Sequence, residues 1–67
     1  MEGYQLENLI KAIESCFKQN YCAMRFDDIV MKFHPEIKQI EIEVALQTMT
    51  YRGQLQRDSG LIRLIVK

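Results

Sequence analysis

With 67 residues, the chain predicts a single domain (residues 1–67), near the size at which one apolar core supplies only about 3–5 kcal/mol of net stability. Apolar residues make up 48% of the sequence, enough for a packed core, and the 27% of charged residues argues against disorder. Nine basic and nine acidic residues cancel to a net charge of zero. This balance counts against a domain whose affinity comes mainly from DNA phosphates.

The sequence contains neither a basic start followed by a long apolar segment nor about 18 successive apolar residues. We therefore expect a soluble, intracellular protein without a signal peptide or membrane span. Its two cysteines, Cys16 and Cys22, and one histidine cannot complete a four-ligand zinc site. For the cysteines, we favour reduced thiols over a disulfide between them.

The first predicted element is an amphipathic helix that begins near Leu6 and ends at Asn20. Apolar residues recur at spacings of three and four, as expected for one side of a helix: Leu6, Leu9, Ile10, Ile13 and Phe17. The opposite side carries acids four residues ahead of bases, which are Glu7 with Lys11 and Glu14 with Lys18. Such pairs indicate a solvated outer face.

Residues 21–24 are mostly apolar and predict a short first strand. A second helix follows, with apolar residues at helical spacing: Phe26, Ile29, Val30 and Phe33. Asp27 and Asp28 lie in its first turn, where carboxylates favour the positive end of the helix dipole. Pro35 ends this helix, because the residue before a proline avoids the α conformation.

A third helix is predicted from about Gln39 to a C-terminal cap at Gly53. Its core side consists of Ile42, Ala45, Leu46 and Met49. Residues 54–57 and 61–66 then predict two strands joined by a turn at residues 58–60, that is, a β-hairpin. The sequence thus predicts an α+β fold, a small winged helix-turn-helix with the order α-β-α-α-β-β.

The pattern does not predict an enzyme. His34 lies at a helix end beside Pro35 and is best interpreted as a surface residue, with no reason to pair with Cys16 or Ser59. Asp27 and Asp28 point about 100° apart on a helix, so they cannot converge on one metal or bond. No phosphate-binding glycine loop or metal-ligand spacing occurs. We expect neither catalysis, cofactor, metal nor small-molecule substrate.

In a helix-turn-helix, the third helix presents its outward face to the major groove, so that face discriminates between partners. Here it consists of Ile40, Val44, Gln47 and Tyr51, flanked by Glu43 and Thr48. It has no lysine or arginine, and only Gln47 could read a base. Its apolar residues indicate either a stripe for a protein partner or internal packing, with Ile40 on the second helix and Val44 against the wing.

Four basic residues could contact phosphates: Lys38, Arg52, Arg57 and Arg63. Lys38 precedes the third helix, Arg52 lies near its end, and the other two are on the wing. Scattered charges of this kind are more often a solvated surface than a DNA footprint.

The sequence also resembles a known family along about residues 6–65. Residues 23–24, 41–42, 45–46, 49, 54, 60, 62 and 64–65 resemble the C-terminal winged-helix domain of eukaryotic minichromosome maintenance (MCM) helicase subunits. Residues 52–56 are more similar to the fifth subunit type and residues 60–65 to the third. The resemblance implies a nuclear, non-catalytic tail that engages loading or licensing factors, with the ATPase motifs elsewhere in the protein.

The leading functional prediction is an interaction module that docks a protein within a DNA replication or chromatin assembly. The residues predicted to bind it are Val44, Gln47 and Tyr51 on the third helix, with Arg57 and Arg63 on the wing. The alternative is a small DNA-binding transcriptional regulator. In that case Gln47 would read a base and Lys38, Arg52 and Arg57 would hold phosphates. Self-association through the same stripe is a third hypothesis.

Overall fold

The computed structural model describes residues 6–65. It contains three helices and three strands, α1 (Leu6–Lys18), β1 (Ala23–Arg25), α2 (Phe26–Phe33), α3 (Gln39–Tyr51), β2 (Leu55–Asp58) and β3 (Leu61–Leu64). The strands form one antiparallel sheet in the order β1-β3-β2. The predicted α-β-α-α-β-β order and winged-helix-like layout are confirmed. Between residues 6 and 65, no helix is long and apolar enough to cross a membrane.

The sheet buries one face against the helices. On its central strand, Ile62 lies opposite Met24 of β1 and Arg57 of β2. Directly opposed residues of antiparallel strands share a face, so this row defines the inner face. The buried members of that face are Met24, Leu55, Ile62 and Leu64. Residues in the alternate rows, including Arg25, Gln56 and Arg63, belong to the outer face and are exposed.

The core is formed where α1 and α3 meet the sheet. Each of these helices contributes four buried residues, which are Leu9, Ile10, Ile13 and Phe17 from α1 and Ile42, Ala45, Leu46 and Met49 from α3. These positions confirm the predicted core sides, although Leu6 is only half-buried. Ile29 is the one fully buried residue of α2, while Ile37 in the following loop also joins the core.

The first strand begins later than the sequence predicted. Tyr21 and Cys22 both have a φ of 61°, which is left-handed rather than extended, and β1 starts at Ala23. The cause is the end of α1, where the Cys22 N–H donates to the Phe17 carbonyl at 2.8 Å. This bond across five residues closes a helix and requires a left-handed residue at position 21. The prediction of strand at residues 21 and 22 was therefore wrong.

The hairpin turn is shorter than predicted. Asp58 is the last residue of β2 and lies opposite Leu61, so only Ser59 and Gly60 form the turn. Their φ values of 51° and 87° match a type I′ turn, whose twist suits a two-residue hairpin. Gln54 was predicted in the strand but precedes it. The predicted strand end at Val66 lies outside the described residues.

The predicted ends of α2 and α3 are confirmed, whereas α1 ends at Lys18, two residues before the predicted end at Asn20. Gly53 has a φ of 80°, and its N–H donates to the Thr50 carbonyl at 3.0 Å. The Gln54 N–H donates to the Met49 carbonyl at 2.8 Å, which completes a Schellman cap of α3. His34 is extended ahead of Pro35, with a ψ of 141°, and ends α2.

Both cysteines are free thiols and are partly buried. The Sγ atom of Cys16 lies 3.7 Å from the Sδ atom of Met24, within the contact between α1 and β1. Both side chains pack against the core as small apolar groups.

Candidate partner-binding site

The outward face of α3 is uncovered. Ile40 is 60% exposed, Val44 41% and Tyr51 92%, and Gln47 is exposed between them. Neither α2 nor the hairpin buries Ile40 or Val44, so the structure favours the stripe interpretation over internal packing. The four residues follow spacings of four, three and four, which align them along one side of the helix. We call this set, Ile40, Val44, Gln47 and Tyr51, the α3 stripe.

A groove lies between α3 and β2, beside the stripe. It has a volume of about 590 Å³ and is lined by Glu43, Gln47, Thr50 and Tyr51 from α3 and by Arg57 from β2. Arg57 reaches this groove because it lies opposite Ile62, whose side chain faces inward. Arg57 is exposed, unlike Leu55 on the same face of β2, which is buried. We call this feature the α3–β2 groove.

Arg52 is engaged elsewhere in the molecule. Its guanidinium donates to both carboxylate oxygens of Glu7, at 2.6 and 3.2 Å, which ties the end of α3 to the start of α1. These hydrogen bonds, together with the charge of Arg52, hold the pKa of the Glu7 carboxyl below its ordinary value. A phosphate would have to displace Glu7 from a two-bond contact to reach this guanidinium.

The other two predicted cations also lie away from the groove. Arg63 is opposite Gln56 and Ala23 on the outer face of the sheet, and its guanidinium lies 4.0 Å from the Asp58 carboxylate. Lys38 precedes α3, where its N–H donates to the Glu41 carboxylate at 3.3 Å. A helix of 13 residues separates Lys38 from Tyr51 by about 20 Å.

Of the predicted site residues, the structure thus brings Gln47, Tyr51 and Arg57 to one groove. Val44 lies three residues from Gln47 on the same helix face, whereas Arg52, Arg63 and Lys38 are on other surfaces. Thr50 also lines the groove and was not among the predicted site residues. Its spacing of three from Gln47 and seven from Glu43 places it on their side of the helix, and this signal could have identified it.

The side chains of the α3–β2 groove can bind a partner through non-covalent contacts. A carboxylate, an amide, a hydroxyl and a guanidinium surround a phenol ring, so the groove can form hydrogen bonds and ion pairs next to an apolar contact. His34 is exposed at the end of α2, as predicted. In the part of the chain that the structure describes, no group of three or more His, Cys, Asp or Glu side chains is placed to hold a metal ion.

No family model, curated protein or solved structure matches this chain.

Proposed function

We propose that the chain is a non-catalytic interaction module that docks a protein partner on the α3 stripe and in the adjoining groove. The observation that carries this proposal is the exposure of three large apolar side chains, Ile40, Val44 and Tyr51, along one helix face. Aligned apolar and aromatic side chains that are exposed to solvent are typical of protein interfaces. The partner buries them, and they then act as anchors of the complex. A partner helix or strand laid along α3 would cover them.

The distribution of positive charge supports a protein over duplex DNA. A helix-turn-helix that reads DNA places basic and amide side chains on the outward face of its third helix, near phosphates. Here that face has Gln47 but no cation, and Glu43 lies beside it. Arg52 is bound to Glu7, and Arg63 lies on the outer face of the sheet. Of the four candidate cations, only Arg57 lines the groove beside α3.

The family resemblance adds a biological setting to this proposal. If the chain acts as the C-terminal winged helix of a minichromosome maintenance helicase subunit, the docked protein belongs to a nuclear replication or chromatin assembly. The exposed stripe is compatible with such a tail, because a docking module needs an apolar surface that the parent domain leaves uncovered.

A peptide selection with two matched variants tests the proposal. The immobilised chain selects binders from a displayed library of random peptides, and fluorescence anisotropy then measures the affinity of each selected peptide. The α3 variant combines Ile40→Gln, Val44→Gln and Tyr51→Gln. The α1 control variant combines Asn8→Gln, Lys11→Gln and Ser15→Gln, which are exposed positions on the outer side of α1.

We expect the α3 variant to lose affinity by more than about tenfold and the α1 control variant to bind as the parent chain does. Loss of three buried apolar anchors accounts for an effect of this size. Selected peptides that bind the α3 variant with unchanged affinity would contradict the proposal, as would a library that yields no binder.

A further inference from the structure

One edge strand of the sheet, β2, borders the α3–β2 groove. Because β3 is central, β2 has a hydrogen-bonded neighbour on one side only. The strand carries Leu55, Gln56, Arg57 and Asp58, without a proline, and its register with β3 has no bulge. Among the devices that protect edge strands from pairing with another chain, β2 lacks proline and bulges, although it is short and carries the charged residues Arg57 and Asp58.

The hydrogen-bond register shows which main-chain groups face outward. The Ile65 N–H donates to the Gln54 carbonyl at 2.9 Å, so these two residues form a hydrogen-bonded pair. Bonded and non-bonded pairs alternate along an antiparallel ladder. Leu55 opposite Leu64 and Arg57 opposite Ile62 are therefore non-bonded pairs, with N–H and carbonyl groups directed away from β3.

A second hydrogen bond confirms this assignment. The Leu64 N–H donates to the Cys22 carbonyl at 2.8 Å, towards β1 and away from Leu55. Within residues 6–65, no loop, cap or side-chain hydrogen bond uses the main chain of Leu55 or Arg57. At Arg57 these outward groups lie next to the groove, because Arg57 is the β2 residue that lines it.

Arg57 also differs from the other two candidate arginines in its charge environment. Arg52 contacts Glu7, and Arg63 lies at the contact limit from Asp58. Among the described residues, no carboxylate lies within 4.0 Å of the Arg57 guanidinium. The exposed guanidinium of Arg57, at the edge of β2, can therefore bind a carboxylate from another chain.

We propose that the partner segment in the α3–β2 groove is an extended strand that pairs with the free edge of β2 and places a carboxylate opposite Arg57. This inference rests on the proposed function and specifies its partner. A helix satisfies its own main-chain groups, whereas a strand uses the outward N–H and carbonyl of Arg57. The residue opposite Arg57 shares its face, so an acidic side chain there meets the guanidinium.

The same geometry defines the rest of the segment. Alternate residues of a strand share a face, so the residues two before and two after the acidic one also face the groove and α3. Apolar side chains at these positions would contact Tyr51 and the α3 stripe. The expected motif is an acidic residue flanked at intervals of two by apolar residues, without proline at the position that bonds to Arg57.

The peptides selected on the full chain provide the probe. First, we expect this motif to be enriched among them. Second, amide hydrogen exchange of the Arg57 N–H should slow by more than about tenfold in the peptide complex, because a new hydrogen bond forms there. Third, Arg57→Gln should weaken binding about fivefold or more, the effect of losing a charge-assisted bond. Arg63→Gln, on the opposite face of the sheet, is the matched control and should leave affinity unchanged.

A second variant separates the main-chain contact from the charge. Chemical synthesis of the 67-residue chain with an ester in place of the amide before Arg57 removes that N–H, and it also makes the Gln56 carbonyl opposite Arg63 a weaker acceptor. The N–H points away from β3, so the ladder between β2 and β3 keeps all of its donors, and circular dichroism checks that the ester chain is folded. We expect this ester chain to bind the selected peptides about fivefold more weakly.

Unchanged exchange at Arg57 in the peptide complex, or full affinity of both the ester chain and Arg57→Gln, would overturn the strand proposal. If those peptides still failed to bind the α3 variant, the proposed function would stand and helical docking on the stripe would replace strand pairing. A library without any binder would contradict the proposed function and this inference together.

Discussion

The helices α1 and α3 have the same length but different outward faces. Each has 13 residues and buries four of them in one shared core. The outward side of α1 presents polar residues such as Lys11 and Ser15, whereas that of α3 presents Ile40, Val44 and Tyr51. Packing specifies the inward faces of both helices. Only solvent or a partner acts on the outward faces, so their difference carries the functional information.

The largest expected effects concern the core to which α1 and α3 both contribute. Ile13→Ala in α1 and Leu46→Ala in α3 each remove a fully buried side chain. Each should lower the free energy of unfolding by about 2–5 kcal/mol, which approaches the whole stability of so small a domain. Urea denaturation followed by circular dichroism measures the loss. A loss below about 1 kcal/mol at either site would contradict the assignment of a common core.

These core positions were also the most predictable part of the sequence. Helical periodicity identified the buried faces of both helices. Because glycine readily adopts a positive φ, its positions predicted the cap at Gly53 and one turn residue at Gly60, and both have a positive φ in the structure. The start of β1 could not be predicted in this way, because Tyr21 and Cys22 are unusual residues for a left-handed conformation. Their apolar character suggested a strand, while hydrogen bonding at the end of α1 determined their actual geometry.

The candidate site was predictable only in part. Helical spacing identified the α3 stripe, since an exposed face follows from the buried one. The sequence could not show that Arg52 contacts Glu7, because 45 residues separate them along the chain. Nor could it assign Arg57 and Arg63 to opposite faces, because that depends on strand register and on the length of the turn.

The ends of the two helices offer the next largest effects, in opposite directions. Both helices end at a left-handed residue, which is Gly53 after α3 and Tyr21 after α1. Gly53→Ala should destabilise the chain by about 1 kcal/mol, because a Cβ disfavours this conformation. Tyr21→Gly should stabilise it by up to about 1 kcal/mol, since the ring is 98% exposed and little packing is lost.

Thermal unfolding of both cap variants checks this pair of predictions. Tyr21→Ala is the control for loss of the ring alone, because alanine retains the Cβ. If Tyr21→Ala and Tyr21→Gly were equally stable, the left-handed conformation at position 21 would carry no cost, and the prediction would fail.

Substitutions on the outward faces should have smaller effects on stability. Ile40→Gln in α3 and Lys11→Gln in α1 each change an exposed position, so each should alter the free energy of unfolding by no more than about 0.5 kcal/mol. Equilibrium denaturation of the two single variants provides the comparison. A loss above about 2 kcal/mol for Ile40→Gln would show that the side chain packs within the domain, against the docking interpretation.

The smallest expected effect concerns the exposed contact between the two helices. Glu7→Gln removes the carboxylate that Arg52 binds and should slightly lower the unfolding midpoint at neutral pH, less so in high salt. The pKa of Glu7 is lowered in the folded chain, so its contribution is present above the ordinary pKa and is lost as pH falls through the folded value. At low pH, the unfolding midpoints of the parent chain and of Glu7→Gln should therefore converge.

Arg52→Gln serves as the background for a double-mutant cycle. In that background, Glu7→Gln should have no further effect on the midpoint. An effect of equal size in both backgrounds would show that Glu7 acts without Arg52, and Arg52 would then be free for a partner.

The most direct test of the docking account is a pair of NMR titrations of the ¹⁵N-labelled chain. One adds a short duplex DNA of random sequence at low salt, and the other adds a selected peptide. We expect the amides of Val44, Gln47 and Tyr51 to shift when the peptide is added and to remain unchanged at micromolar DNA. Joint shifts of α3 and hairpin amides at micromolar DNA would contradict it and favour the DNA-binding alternative.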